Sequence, residues 1–405
     1  MNMAGRASQA AALLVVLSCG VAHGRPPAVK WSAKLSFVNG RPTLLAAGRR
    51  HLFYDNFYHV ARRQIATGRL TRKLPGAHEG GPGENVQDIR VHKDHLLYLE
   101  VSEPGEEVGP MVPRPRGPHP STLVVTDPRG KRLWTRDGRM PPPVAVARSR
   151  IFVVEQGKLL ALDLQSGKVL WKIPLKESPT MGPSAGANLV VVQTKASVLA
   201  VEQQSGKRIW RRPMPGKSRA AAVFGQRALF LAHEKDTGKD KTTTTLLALQ
   251  LANGAPVWSK VLPRRMVFNA PVVAGGSLFV ATSPDVAENS IDRPTPLLAL
   301  SAATGKQLWQ SPIVSSTDLD VGPAVWRDQV LVWSHDFKDP LSRPCQLRGL
   351  DRSTGRLLWT FRAPRSRGGC TVSRPLVQGD LILFSNRSRL YALRARAGRR
   401  SRRQD

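Results

Sequence analysis

Hydrophobic residues along this chain do not recur with a helical period; they fall into short runs of strand length, separated by turn residues. One phrase keeps returning: KLLALDLQSGKVLW (158–171), SVLAVEQQSGKRIW (197–210), TLLALQLANGAPVW (245–258), PLLALSAATGKQLW (296–309) and QLRGLDRSTGRLLW (346–359). An earlier copy, STLVVTDPRGKRLW, occupies 121–134, and a degraded one, FYHVARRQIATGRLTR, occupies 57–72 with Arg72 in the place of the Trp. The turn glycines are Gly68, Gly130, Gly167, Gly206, Gly254, Gly305 and Gly355, spaced by 62, 37, 39, 48, 51 and 50 residues. In each copy an apolar or alternating run meets a small residue and Gly, and a second run ends in Trp. That predicts a β-hairpin with its glycine at positive φ.

Two further short apolar runs precede each hairpin. Examples are residues 143–146 with 151–154, and 270–273 with 277–280. Four strands per unit at this period predict a propeller blade. After Trp359 the chain offers three strands, at 375–377, 381–384 and 390–393, and no fourth. Residues 28–31, ending in the orphan Trp31, supply the missing one. The expectation is an all-β, eight-bladed propeller of four-stranded antiparallel blades, closed by pairing of the N- and C-terminal strands, which leaves no open sheet edge at the junction. Seven of the nine Trp then hold equivalent outer-strand positions: Trp31, Trp134, Trp171, Trp210, Trp258, Trp309 and Trp359. The other two, Trp326 and Trp333, fall in the seventh blade.

The phrase resembles the repeat of the pyrroloquinoline-quinone (PQQ) type β-propeller family, over most of residues 28–394. The resemblance implies that these Trp dock between adjacent blades and that the Trp and Gly determine the fold rather than any chemistry. It also implies two functional classes, quinone-dependent dehydrogenases and non-catalytic scaffolds. The dehydrogenases carry a metal-binding carboxylate, an Asp base and often a vicinal disulfide over the quinone. Here Cys19, Cys345 and Cys370 are nowhere adjacent, and Asp163 and Asp351 read as strand and turn residues. The scaffold class includes BamB-like outer-membrane assembly lipoproteins, which the chain resembles in blade number, size and export. The expectation is therefore a non-catalytic, monomeric binding scaffold with no cofactor and no bound metal; a PQQ-dependent dehydrogenase is the alternative.

Residues 1–24 carry Arg6, an apolar stretch at 10–17 and small residues after it, the pattern of a secretory signal too short to span a membrane. Ala22-His23-Gly24 suits cleavage before Arg25, whereas Val16-Leu17-Ser18-Cys19 resembles a lipobox that would leave Cys19 lipidated. Both readings place the propeller, residues 25–394, in the periplasm or at the outer membrane. Residues 395–405 are expected to be a basic, disordered arm. No helical pair of His, Gly-rich phosphate loop or nucleophile elbow occurs. His92 and His95 beside Asp94, and His335 beside Asp336, lack a third ligand nearby and read as solvated loop residues.

Composition changes the picture in one respect. Against 29 Asp+Glu stand 61 Lys+Arg, a formal charge of +32. Residues 394–405 account for only six Arg and one Asp, so the excess belongs to the body. It reads either as attraction to anionic lipid or lipopolysaccharide, export arguing against nucleic acid, or as an Arg-rich solvated surface. The long insertions, 102–121, 233–245, 283–296 and 335–345, all fall between second and third strands and so on one face, the candidate surface for a protein partner in the cell envelope. Cys345 and Cys370 lie in connections on that same face of neighbouring blades and form a candidate disulfide; two unpaired thiols are the alternative.

Overall fold

A strand that is apolar on both sides must be covered on both sides, and here each sheet is covered by the sheets before and after it. The computed structural model describes residues 25–35, 45–55, 59–75, 84–102, 120–214, 222–236, 242–263, 265–266, 270–284, 295–313, 322–334, 345–364, 372–386 and 388–394, among which there is no helix. Eight four-stranded antiparallel blades form a ring. Blades one to seven span 45–75, 84–138, 145–174, 184–213, 223–263, 272–313 and 324–362; blade eight takes its three inner strands from 376–394 and its outer strand from Ala28–Lys34. That outer strand pairs from Ala28↔Arg394 to Lys34↔Arg389 and closes the ring as expected.

The core is divided among the seams. Each of the eight buried apolar clusters combines residues of two neighbouring blades, such as Phe152, Val154 and Leu159 with Val190, Val192 and Val201 between blades three and four. This is why the middle strands read as unbroken apolar runs. Leu189–Gln193 is buried at every position, as a strand covered on both faces must be.

Every third-to-fourth hairpin contains a β-bulge one residue before the Trp position. In blade three Ala161 pairs with Trp171 and Leu162 with Val169, leaving Leu170 as the extra residue. The same shift leaves Ile209, Val257 and Leu308 unpaired in blades four to six. A bulge bends its strand and re-aims the next side chain. Here it turns the Trp into the seam and its predecessor outward. The sequence pattern contains no sign of it.

Three expectations change. Inner strands expected at 143–146, 270–273 and 375–377 lie at Ala145–Ala147, Val272–Ala274 and Leu376–Gln378. Pro143, Pro271 and Pro375 have no N–H for a ladder, so pairing starts beyond them. The stretch 233–245 is not an inserted loop for most of its length: Ala228–Asp236 and Thr242–Gln250 pair continuously from Ala228↔Gln250 to Asp236↔Thr242. Consecutive threonines suit an extended hairpin. Near the insertion that follows Ser283, Arg265–Met266 pairs with Ser283–Pro284 in a small ribbon outside the blades.

Candidate functional site

Because strands alternate in direction, turns joining first to second and third to fourth strands emerge on one face. Second-to-third connections and the links between blades emerge on the other. Seven of the third-to-fourth turns carry the repeat glycine, and six of these receive an indole. Trp31, Trp134, Trp171, Trp210, Trp258 and Trp309 donate their Nε1–H to Ile65 O, Leu164 O, Gln203 O, Leu251 O, Ala302 O and Arg352 O of the following blade at 2.8–3.1 Å. Each acceptor lies three residues before the turn glycine on which the ring rests. Gly254 has φ +70, and a Cβ there would meet Trp210 Cδ2 at 2.7 Å.

Two seams depart from this pattern. Where Arg72 replaces Trp, Arg72 Nη1 and Arg62 Nη1 donate to Arg129 O at 3.3 and 3.1 Å. The receiving turn is one residue shorter, Gly130 N reaching Asp127 O at 2.9 Å, and Leu74 rather than an indole covers Gly130. Desolvation, followed by the neighbouring charge of Arg72, lowers the Arg62 pKa. At the closure no third-to-fourth turn exists to receive Trp359. It stays buried in the seam and donates instead to Gln329 Oε1 of its own blade at 2.7 Å. The inter-blade bonds come from the two extra Trp: Trp333 to Ser373 O at 3.0 Å and Trp326 to Gly379 O at 3.3 Å. Trp333, Phe361, Phe384 and Tyr391 form an aromatic cluster there, with centroids 5.1–5.7 Å apart.

His92 and His95 flank a two-residue turn on the short-turn face and are not loop residues. His92 Nε2–H donates to Arg148 O of blade three at 2.6 Å. His95 Nδ1–H donates to Lys93 O at 3.1 Å, so its Nε2 accepts from Gln165 of blade three at 3.0 Å. Arg148 Nη2 continues to Asn188 Oδ1 of blade four at 2.7 Å. The short turns are thereby tied across seams. His335 and Asp336 lie outside the described residues.

A cleft of about 400 Å³ runs along the seam between blades three and four, from Glu177, Thr194 and Ser197 at the long-connection end past Ile173, Leu199 and Val201 to Gly206 and Lys207 at the short turns. At its rim Glu177 accepts from Thr194, Ser197 and Arg211, and these contacts, the Thr194 hydrogen bond foremost, lower its pKa. Arg374, ahead of the inner strand of blade eight, donates to Pro323 O at 3.2 Å. Its side chain is exposed, yet desolvation lowers its pKa, with the charge of Arg90 acting in the same direction. Arg90 pairs with Asp88 at 3.0 Å. Cys345 is buried and disulfide-bonded; Cys19 and Cys370 lie outside the described residues, as do most of the long insertions, the leader 1–24 and the tail 395–405.

The carboxylates of the repeat serve their own turns. Asp351 accepts from the backbone and hydroxyls of Ser353 and Thr354 at 2.6–3.0 Å, which hold its pKa at about 2. Asp163 is lowered in the same way, the Ser166 hydroxyl first. Among the described residues no three His, Cys, Asp or Glu side chains converge.

The profile of the family described as "Outer membrane protein assembly factor BamB" matches residues 120–285 and 244–404. No curated protein matches the chain in sequence. Among solved structures, BamB from Moraxella catarrhalis is 17% identical with a TM-score of 0.53, over 76% of this chain and 84% of that one. A computationally designed protein, Ika8, is 13% identical with a TM-score of 0.61, over 92% and 100%. The quinohemoprotein alcohol dehydrogenase ADHIIG from Pseudomonas putida HK5 is 12% identical with a TM-score of 0.57, over 90% and 76%. At these identities each likeness shows the fold alone.

Proposed function

The chain belongs to the family of the outer membrane protein assembly factor BamB, and from that premise we propose that it is a non-catalytic binding scaffold of the cell envelope. Its protein partner, a component of outer-membrane protein assembly, docks on the face that carries the long connections. The family match over 120–285 and 244–404 carries this reading. A ring tied at eight seams supports it, because a rigid frame that presents long loops on one side is suited to recognition. Residence in the periplasm or on the outer membrane, through cleavage before Arg25 or lipidation of Cys19, belongs to the same reading.

The test is affinity capture from envelope extract by the full chain and by a variant with residues 104–118 replaced by a Gly-Ser linker. An outer-membrane assembly component retained by the first and lost by the second is the expected result. The likeness to a dehydrogenase is one of fold and supplies no catalytic residue. Stoichiometric uptake of PQQ with calcium, accompanied by dye-linked oxidation of alcohols or sugars, would overturn the proposal in favour of an enzyme.

A further inference from the structure

An excess of ten positive charges lies on the face opposite the long connections. Eight first-to-second turns and seven third-to-fourth turns make up that face, each two to five residues long. Together these turns contain 14 Lys and Arg against four Asp and no Glu. Among the described residues the connections on the opposite side contain Arg139, Lys176, Lys195, Arg265 and Arg374 against Glu177. The strand ends flanking the short turns add Arg132, Arg150, Arg208 and Arg394 against Asp163, Glu202 and Asp351, which leaves the excess in place.

The carboxylates on this face are already engaged. Asp94 accepts from Arg49 N at 3.3 Å and Asp127 from Lys131 N at 2.7 Å, while Asp328 pairs with Arg352 at 3.2 Å and Asp380 with Arg394 at 2.6 Å. Among the described residues the cations of the first-to-second turns have no carboxylate partner, although Arg148 donates to Asn188 and the Arg327 guanidinium lies over the Trp326 ring at 5.1 Å. Arg49, Arg50, Lys93, Arg148, Arg227 and Arg327 are all exposed, and none makes an ion pair among the described residues.

A second, independent observation concerns apolar side chains. Nine large hydrophobic residues are exposed among those described, and eight of them, including Leu133, Leu170, Ile209, Val257 and Leu308, are the first or second residue of an outer strand. That position adjoins the short turns, so the basic face is ringed by apolar side chains; several of them are the bulge residues the hairpins turn outward. Chain direction adds a third. The pairing Ala28↔Arg394 puts the start of the outer strand and the end of the third strand of blade eight at this same face. The leader with Cys19 and the last eleven residues, five of them Arg, are therefore both attached there.

We propose that the short-turn face docks flat on a bilayer bearing anionic phospholipid headgroups. The unpaired cations meet the phosphates, and the apolar ring enters the headgroup boundary. Docked this way, the ring turns its long connections away from the membrane and toward a partner. The proposal goes beyond the scaffold reading and fails or stands separately from it, since it needs no protein partner.

The test is sedimentation of the full chain with vesicles of phosphatidylglycerol and phosphatidylcholine, against vesicles of phosphatidylcholine alone. Binding is expected only with phosphatidylglycerol, and it should weaken steeply from low to physiological salt. The combined variant Arg50→Gln, Lys93→Gln, Arg227→Gln, Arg327→Gln should lose at least tenfold in affinity. A control on the other side, Arg139→Gln, Lys158→Gln, Lys176→Gln, Lys195→Gln, should lose less than twofold, although it removes the same charge. Unchanged thermal midpoints show that both variants remain folded. Equal losses in the two variants would reduce the effect to net charge and overturn the proposal. So would absence of vesicle binding at low salt, or capture by an acidic protein or DNA alone.

Discussion

The repeated contact between an indole and the next blade's glycine can be tested as a coupled pair, with Trp210 and Gly254 the clearest example. Trp210 is 6% exposed, and its Nε1 donates to Leu251 O at 2.8 Å. Trp210→Ala removes a buried indole and leaves a cavity, a loss of about 3–5 kcal/mol. Gly254→Ala has two separable costs. The φ of +70 is unfavourable for any residue with a Cβ, by about 1–2 kcal/mol. That Cβ would also lie 2.7 Å from two indole atoms, and overpacking of this kind costs about 1–3 kcal/mol. Gly157 isolates the first cost, because its φ is +72 and a Cβ there would meet nothing within 4 Å. Equilibrium urea unfolding should therefore give Gly157→Ala a penalty of about 1–2 kcal/mol and Gly254→Ala about 2–5 kcal/mol. In the Trp210→Ala background the Gly254→Ala penalty should fall back to the Gly157→Ala value, a coupling of about 1–3 kcal/mol. Strict additivity would refute the claim that the glycine is required by the indole.

Two further outcomes follow from the same geometry. Trp333→Phe keeps the edge contact with Phe384 but leaves the buried Ser373 carbonyl unpaired, so it should lower stability by about 1–3 kcal/mol in urea; an unchanged midpoint would show that the closure seam does not use that bond. Asp351 has its folded-state pKa depressed from 3.8 to about 2, so its contribution is present above pH 4 and lost as pH falls toward 2. The difference in thermal midpoint between the wild-type chain and Asp351→Asn should accordingly shrink over that interval, and a difference that persisted to pH 2 would argue against the turn hydrogen bonds as its source.

Blade number, strand order and the closure through a strand at 28–31 were legible in the chain because their signals are local. A glycine at positive φ, a small residue before it and apolar runs on either side define a hairpin within about fifteen residues. Repetition then converts one hairpin into an architecture, and the missing fourth strand after residue 394 points to the ring closure. What those windows could not carry is anything that depends on the neighbouring blade. The substitute for a Trp at Arg72 works only with a shortened turn some 57 residues later. Trp326 and Trp333 take over bonding at the one seam where ring closure removes the receiving turn. His92 and His95 look like solvated residues until blade three is placed beside them. The bulge before each Trp is a property of paired backbones, and it alone explains why Leu170 and its equivalents face outward. Charge shows the division most plainly. Composition supplies +32, but only strand direction assigns 14 cations and four anions to the short turns. Alternating strands sort connections between two faces, and that sorting exists only once the sheets have formed.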